Sequence, residues 1–321
     1  MSAIEKKFIV VTGAAGFIGC NLVYRLNADG YSNLILVDEF DRSTKLNNLD
    51  DTQFSKQIDR KDFVNWLKVN ADSVDFIFHL GARTDTTEFD FSVLETLNTN
   101  YTKALWEICT QKDIPFLYAS SAATYGPGNK GFNDDVSTLK DLKPLNPYGL
   151  SKHLFDMFVL EQKHTPSFWV GLKFFNVYGP YEAHKGRMAS VIFHSYNQIK
   201  SSGKVKLFKS HKPEFLDGEQ LRDFIFVGDV VNVCMFFFKN RKNSNIYNLG
   251  TGRARTFNDL VNAVFSALHL EPNIEYIPIP EDIRETYQYY TEANESKLIS
   301  AGYDTPFTTL EEGVKKTVAS Y

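Results

Sequence analysis

Cysteine is scarce in this 321-residue chain, which has three: Cys20, Cys109 and Cys234. None forms a C-x-x-C pair or neighbours a histidine cluster, so neither a disulfide framework nor a metal site is expected, and all three read as reduced, buried thiols. Long apolar runs are lacking too. The strongest, VVNVCMFFF ending at Phe238, is far below the ~20 residues of a membrane span. The start, MSAIEKKFIVVTG, carries an apolar stretch too short for a signal peptide and broken at once by Thr12 and Gly13, so a cytoplasmic protein is expected. Charge of one sign is not in excess. With 35 Lys and Arg against 39 Asp and Glu the formal net charge is −4, which offers no basic surface to nucleic acid or an anionic membrane. No internal repeat or low-complexity linker divides the chain. What remains, 43% hydrophobic and 23% charged residues, is an ordinary globular composition that excludes a disordered protein.

Through the first half, short Val/Ile/Leu/Phe-rich runs at residues 8–11, 34–37, 76–78, 116–118 and 169–174 alternate with longer amphipathic stretches at 17–28, 61–68, 94–110 and 149–162. That alternation predicts βαβ units and a parallel sheet covered on both faces. The pattern blurs after Gly179. SSGKVK and SHKPEFLDGEQ read as loops, while FIFVGDVV and IYNLGTG read as a return to the sheet region. The fold class is therefore α/β, a Rossmann-type doubly wound parallel sheet with a smaller interleaved α/β domain.

Directly after the first predicted strand comes TGAAGFIG, with Gly13, Gly16 and Gly19 three residues apart. Gly13 permits a tight turn, Gly16 lets backbone approach a pyrophosphate, and Gly19 lets the helix pack on its strand. The helix N-terminus then presents unpaired N–H groups to phosphates. An ordinary strand-to-helix turn is the alternative, but strand, turn and helix here follow in the required order. Asp38 ends the second strand about 20 residues on, where a carboxylate meets the adenosine ribose; otherwise it is a loop acid capping the next turn. Asp38 and Glu39 oppose a 2′-phosphate, whereas Arg42, Lys45 and Arg60 either surround one or are solvated loop charges. NADP is expected to be accepted alongside NAD.

Tyr148 and Lys152 lie four residues apart in NPYGLSKHLF, a spacing that puts both on one helix face. A free tyrosine titrates near ~10 and needs help to act as a base at neutral pH. A lysine ammonium and a positive nicotinamide both favour the phenolate. Ser121, in YASSAATYG, stands at the C-terminal end of a sheet strand, where open α/β folds bind ligands. There it either hydrogen-bonds an alcohol being oxidised or is a turn serine bonding its own backbone.

TGAAGFIG, the GAR after His79, Asn98, Ser121, Tyr148 and Lys152 together resemble the extended short-chain dehydrogenase/reductase superfamily. More narrowly, FLYASSAATYG, LNPYGLSK, FFNVYGP with HKGRMASV, RDFIFVGDV and NLGTGRA are similar to the ADP-L-glycero-D-manno-heptose 6-epimerases, from Phe8 to the closing YDTPFTTLEEGV. HKPEFLDGEQ is longer than that pattern, and Arg83-Thr84-Asp85 replaces a more neutral stretch. The resemblance implies a tightly bound NAD or NADP that takes a hydride from C6″ of the heptose and returns it to the opposite face, supplying heptose for the lipopolysaccharide inner core. It assigns cofactor contacts to Gly13, Gly16, Phe17, Ile18, Gly19, Asp38, Glu39, Lys45, Arg60, Leu80, Gly81, Ala82, Arg83, Thr84, Asn98, Lys152 and Val177. Catalysis falls to Ser121, Tyr148 and Lys152, with Lys185 as the second acid/base; without the resemblance Lys185 reads as a phosphate contact or a solvated loop lysine. Asn176, Arg187, His194, Phe208, Arg222 and Tyr287 are implied to line the nucleotide-sugar. Arg222 suits the diphosphate, since a guanidinium fork pairs with phosphate oxygens, or else pairs with Asp223 or Asp229. His194 is equally a satisfied helix histidine, and His79 is read as packing only. Residues 1–175, with a returning segment at about 222–250, are read as the NAD(P)-binding domain and the rest of 176–321 as the substrate domain. A homo-oligomer is implied, with a pentamer as its form.

Three rivals differ in residues. A 4,6-dehydratase carries an Asp-Glu pair just after the serine position, where Ala122, Ala123 and Thr124 stand here. A UDP-sugar 4-epimerase shares Ser121, Tyr148 and Lys152 but does not need Lys185. A non-catalytic NAD(P)-sensing protein on the same fold is expected to have lost Tyr148 or Lys152, and both are present.

Overall fold

The computed structural model describes residues 7–41, 43–86, 88–284 and 287–321. Its first half forms strands β1 (Phe8–Thr12), β2 (Leu34–Asp38), β3 (Lys56–Asp59), β4 (Val74–His79), β5 (Phe116–Ser121) and β6 (Trp169–Phe174). Alternate residues along each strand enter different cores, because successive side chains of a strand point to opposite faces. Ile9, Val11, Leu34, Leu36, Phe76 and Phe78 face one core, while Val10, Ile35, Val37 and Ile77 face the other. Both faces need cover. The helices Phe17–Ala28 and Val227–Asn240 close the first, and Arg60–Asn70, Tyr101–Lys112 and Pro147–Leu160 close the second.

All pairings in this sheet are parallel, and its order is β10-β6-β5-β4-β1-β2-β3, with β10 being Asn245–Leu249. The order reverses between β1 and β4. Crossovers leave this point in opposite directions, which opens a crevice at the strands' C-terminal ends.

Three segments differ from the sequence reading. β3 was not anticipated, because KQID is a short, largely exposed edge strand with no apolar pattern. FIFVGDVV does not return as a unit. Its first part completes β9 (Leu221–Phe226), which joins β7 (Asn176–Tyr178) and β11 (Ala254–Thr256) in a separate three-stranded sheet, and its second part begins the helix Val227–Asn240. A short apolar run does not by itself distinguish strand from buried helix. Only IYNL rejoins the large sheet, as β10. Finally, the helix expected at 94–110 contains a π-turn, Glu95–Asn100, ahead of Tyr101–Lys112.

The second half buries its own core. The helices Val191–Ser202, Phe257–Ala267 and Leu310–Val318 pack together with β8 (Val205–Phe208), which pairs in parallel with β12 (Ile274–Ile277). All three cysteines are buried free thiols. No described helix is long and apolar enough to cross a membrane.

Candidate active site

A cleft of about 630 Å³ opens at the crevice between β1 and β4. Its floor is the glycine turn. Gly13 has φ +67° and lies so close to the loop after β4 that a Cβ there would stand 2.7 Å from the Gly81 Cα. A Cβ on Gly19 would meet the Gly13 carbonyl at 2.0 Å, so the helix can pack this tightly only on glycine. Gly16 caps the helix Phe17–Ala28 without a side-chain hydrogen bond, and no acidic residue sits in its first turn. The first-turn N–H groups, which have no intrahelical acceptors, thus remain for an anion at the cleft, which Phe17, Ile18 and Gly19 line. Backbone room, open donors and a carboxylate at the end of β2 together fit a dinucleotide.

That carboxylate, Asp38, is buried and held in place. One oxygen accepts the Ala15 N–H at 2.9 Å, and the other accepts the Glu39 N–H at 2.7 Å and the Lys45 ammonium. Arg60 lies 3.5 Å from Glu39. Lys45 and Arg60 are therefore each seated against an acid at the ribose end of the cleft rather than extended into solvent. Arg42 lies outside the described residues. Leu80, Gly81, Ala82, Arg83, Thr84 and Val177 also line the cleft.

Asn98 does not line it. Buried in the π-turn, Asn98 accepts the Arg83 N–H at 2.8 Å and donates to the Arg83 carbonyl at 3.0 Å and to the Ser151 hydroxyl at 3.0 Å. It is a brace between the loop after β4 and the helix of Tyr148. A π-turn inserts one residue into the helical repeat and turns a side chain out of its ordinary row.

The reading of His79 as packing alone is corrected by its hydrogen bonds. Thr102 donates its one hydroxyl proton to the Asn98 carbonyl at 2.5 Å, so its oxygen accepts from His79 Nε2–H at 2.8 Å. In the neutral ring Nδ1 is then the acceptor, and Thr12 Oγ1, which also accepts the Gly81 N–H at 3.2 Å, donates to it at 2.7 Å. Burial, with the nearby Lys152 ammonium, pushes the imidazole down to about 3, so it is neutral.

Ser121, Tyr148, Lys152 and Lys185 all line the cleft. Ser121 ends β5, Tyr148 and Lys152 come from the helix Pro147–Leu160, and Lys185 comes from the turn Ala183–Met188. The helix begins at a capped end, where Asn146 accepts from the Gly149 N–H and proline occupies its first position. Burial raises the Tyr148 phenol above its ordinary range and the Ser121 hydrogen bond opposes this. The expected help from Lys152 is indirect: its ammonium donates to the Ala119 carbonyl at 2.9 Å, and burial lowers it to about 8 against the pull of Asp156. Burial lowers Lys185 as well, with Glu182 opposing, and its ammonium lies 5.0 Å from the centre of the Phe17 ring.

The residues assigned to the sugar nucleotide fall in separate places. Phe208, Arg222 and Tyr287 form a cluster in which the guanidinium lies 5.3 Å from the Tyr287 ring and 5.7 Å from the Phe257 ring. Arg222 donates to the carbonyls of Leu221 and Gln288, so neither suggested aspartate partner holds it. Asp223 instead accepts from Thr251, Gly252 and Ala293. Arg187 pairs with Asp85 at 2.9 Å, Asn176 is exposed on β7, and His194 stands in the first turn of the helix Val191–Ser202 against Phe193. None of these six lines the cleft. Sequence reasoning missed His184, which does; it lies 3.0 Å from the Asn48 amide and beside Lys45. Its signal was adjacency to Lys185. It missed Asp85 too, which lines the cleft and pairs with both Arg83 and Arg187.

Comparison with known proteins agrees with this fold. The profile of the NAD dependent epimerase/dehydratase family matches residues 9–250. An ADP-L-glycero-D-manno-heptose-6-epimerase of Fusobacterium nucleatum is 48% identical over 98% of this chain and 97% of its own. The crystal structure of the Helicobacter pylori ADP-L-glycero-D-manno-heptose-6-epimerase superposes with a TM-score of 0.83 at 30% identity, covering 99% of this chain and 98% of that one. A Thermus thermophilus UDP-glucose 4-epimerase in complex with NAD gives a TM-score of 0.78 at 25% identity, covering 98% of each chain. The chain belongs to the NAD dependent epimerase/dehydratase family, and within it to the ADP-L-glycero-D-manno-heptose-6-epimerases.

Proposed function

We propose that this enzyme inverts C6″ of ADP-D-glycero-D-manno-heptose through a transient 6″-ketone, with no net redox change. The observation that carries the reading is that Tyr148 and Lys185 enter one cleft from two separate segments, the helix Pro147–Leu160 and the turn Ala183–Met188. The cleft would hold NAD, or NADP with Lys45 and Arg60 at its ribose end, and the bound nicotinamide would supply reversible hydride chemistry at C6″. Ser121 hydrogen-bonds the reacting oxygen, and Lys152 holds the nicotinamide ribose. Because C6″ is exocyclic, rotation about C5–C6 presents either face of the ketone to a fixed cofactor. One acid/base group then serves each orientation, Tyr148 for one and Lys185 for the other. Burial favours the neutral amine at Lys185, as a base requires. The remaining cradle residues, from Gly13 to Val177, hold the dinucleotide, with Asn98 acting through Arg83. Asn176, Arg187, His194, Phe208, Arg222 and Tyr287, all outside the cleft lining, receive the part of the sugar nucleotide that extends beyond it, Arg222 at the diphosphate. The reading extends to a cytoplasmic homo-oligomer, which cell fractionation and light scattering test. Incubating the purified holoenzyme with ADP-D-glycero-D-manno-heptose and following C6″ by NMR tests the reaction. Inversion without NAD(P)H accumulation is the expected result; no inversion, with C4 inversion of UDP-glucose instead, overturns it.

A further inference from the structure

The mechanism above leaves one ion pair without a role. Lys173 of β6 and Asp156 of the helix Pro147–Leu160 have fully buried side chains, with Nζ 2.6 Å from Oδ2. Around them every polar contact is directed. Asp156 also accepts from the Ser120 hydroxyl at 2.7 Å and the Tyr118 hydroxyl at 3.1 Å. Lys173 also donates to Thr124 Oγ1 at 2.7 Å and lies 5.2 Å from the centre of the Tyr125 ring. Thr124 in turn donates to the carbonyl of Ser121 at 2.8 Å. A buried pair of this kind is a poor stabiliser, since desolvation offsets its attraction, so stability alone does not account for its place. Its place is behind the reacting groups. Asp156 follows Lys152 by one helical turn on the same face, and Lys173 reaches Ser121 through a single threonine.

We infer that Asp156 and Lys173 form a positioning dyad: Lys173 fixes the Ser121 turn through Thr124, while the Asp156 carboxylate stands as counter-charge one helical turn from the Lys152 ammonium. The inference rests on the roles proposed for Ser121, Tyr148 and Lys152. The groups facing Lys152 are few. Tyr148 and Asp156 share its helix, the Ala119 carbonyl meets it from β5, neutral His79 lies on β4, Lys173 stands behind Asp156 on β6, and Lys185 lines the same cleft. Among them Asp156 opposes the effect of burial on the ammonium.

Two variants of opposite charge separate this role from a structural one. In holoenzyme labelled with ¹³C at lysine Cε, the Lys152 signal is identified by its loss in Lys152→Met and titrated without substrate, beside the pH profile of kcat. Asp156→Asn leaves Lys173 uncompensated, and moves both the Lys152 titration and the alkaline fall of kcat down by about one pH unit. Lys173→Met leaves the carboxylate uncompensated and moves both up. The double variant cancels the two and returns the titration close to the wild-type position. Lys173→Arg keeps the charge in a bulkier head and leaves the titration in place even where a packing defect lowers thermal stability. Single variants that leave Lys152 unmoved, or move it in one common direction, overturn the dyad, as does a shift in Lys173→Arg as large as in Lys173→Met. Failure of the heptose reading is distinct: wild-type enzyme then shows no C6″ inversion, whereas the substrate-free Lys152 signal still answers to Asp156.

Discussion

Burial first, and the nearby Lys152 ammonium after it, oppose a second proton on the His79 ring, whose Nδ1 takes the Thr12 hydroxyl. The folded imidazole therefore stays neutral down to about 3, while the unfolded one binds a proton below its ordinary 6.5. Between those values the unfolded chain holds the extra proton, so stability falls as pH falls, by about 1.4 kcal/mol per pH unit from this group. Urea unfolding at pH 7 and pH 5 checks this. His79→Gln is less stable than wild type at pH 7, and the gap narrows by about 2 kcal/mol at pH 5 because the variant lacks this titration; a constant gap would contradict a neutral His79 in the folded state. Tyr148→Phe removes the phenolic proton carrier while keeping the ring, and at least a ~100-fold loss of kcat is expected with the cofactor still bound. Absorbance of the purified protein reports the cofactor, and NMR reports the epimer. At Lys185, Met keeps the apolar stem over Phe17 but deletes the amine. The expected result is a fall in kcat rather than a rise in KM alone, together with retained hydride exchange on the epimer that Tyr148 faces.

Elements differ in how far the chain announces them. The glycine turn was legible because a backbone constraint admits one residue type: Gly19→Ala places a methyl 2.0 Å from the Gly13 carbonyl, so the helix must move off the turn. A weakening of NAD affinity by at least ~10-fold is expected, read by calorimetry on the apo protein, since the helix end carries the phosphate donors. Ser121, Tyr148 and Lys152 were legible because short spacings on one strand end and one helix face bring them together. The π-turn was not. Its extra residue lies inside an amphipathic run whose apolar spacing still reads as regular helix, so Asn98 was placed in the cradle when it acts one step behind it, through Arg83. β9 and the helix after it were merged for a related reason, since period alone does not divide a continuous apolar run. The cluster of Phe208, Arg222 and Tyr287 was named from resemblance. Its meeting depends on pairings far apart in sequence, which spacing does not report.

The turn that carries Lys185 packs on the glycine-turn side of the cleft through Phe17 and Asn48, and Tyr321 helps hold it. Glu182, fully buried, accepts from the Ser190 N–H at 2.5 Å, the Ser190 hydroxyl at 2.6 Å and the Gly179 N–H at 3.4 Å, and from the Tyr321 hydroxyl at 3.2 Å. The Tyr321 ring packs against Phe193 and Tyr196. Tyr321→Phe keeps the ring packing and removes the tether, so kcat is expected to drop a few-fold, on the order of the ~1 kcal/mol of one hydrogen bond, while the melting temperature stays nearly unchanged. Steady-state kinetics beside calorimetry decides it. The order of strands in the large sheet bears on how the protein is made. β6, almost wholly buried in the finished sheet, has β5 on one side and only β10 on the other. During synthesis that flank stays bare until more than seventy further residues have emerged, an adhesive edge on an otherwise finished layer. Ribosome-bound chains halted before Asn245 should therefore recruit a holding chaperone and be cut by protease near β6, whereas chains extended far enough to dock β10 should resist both.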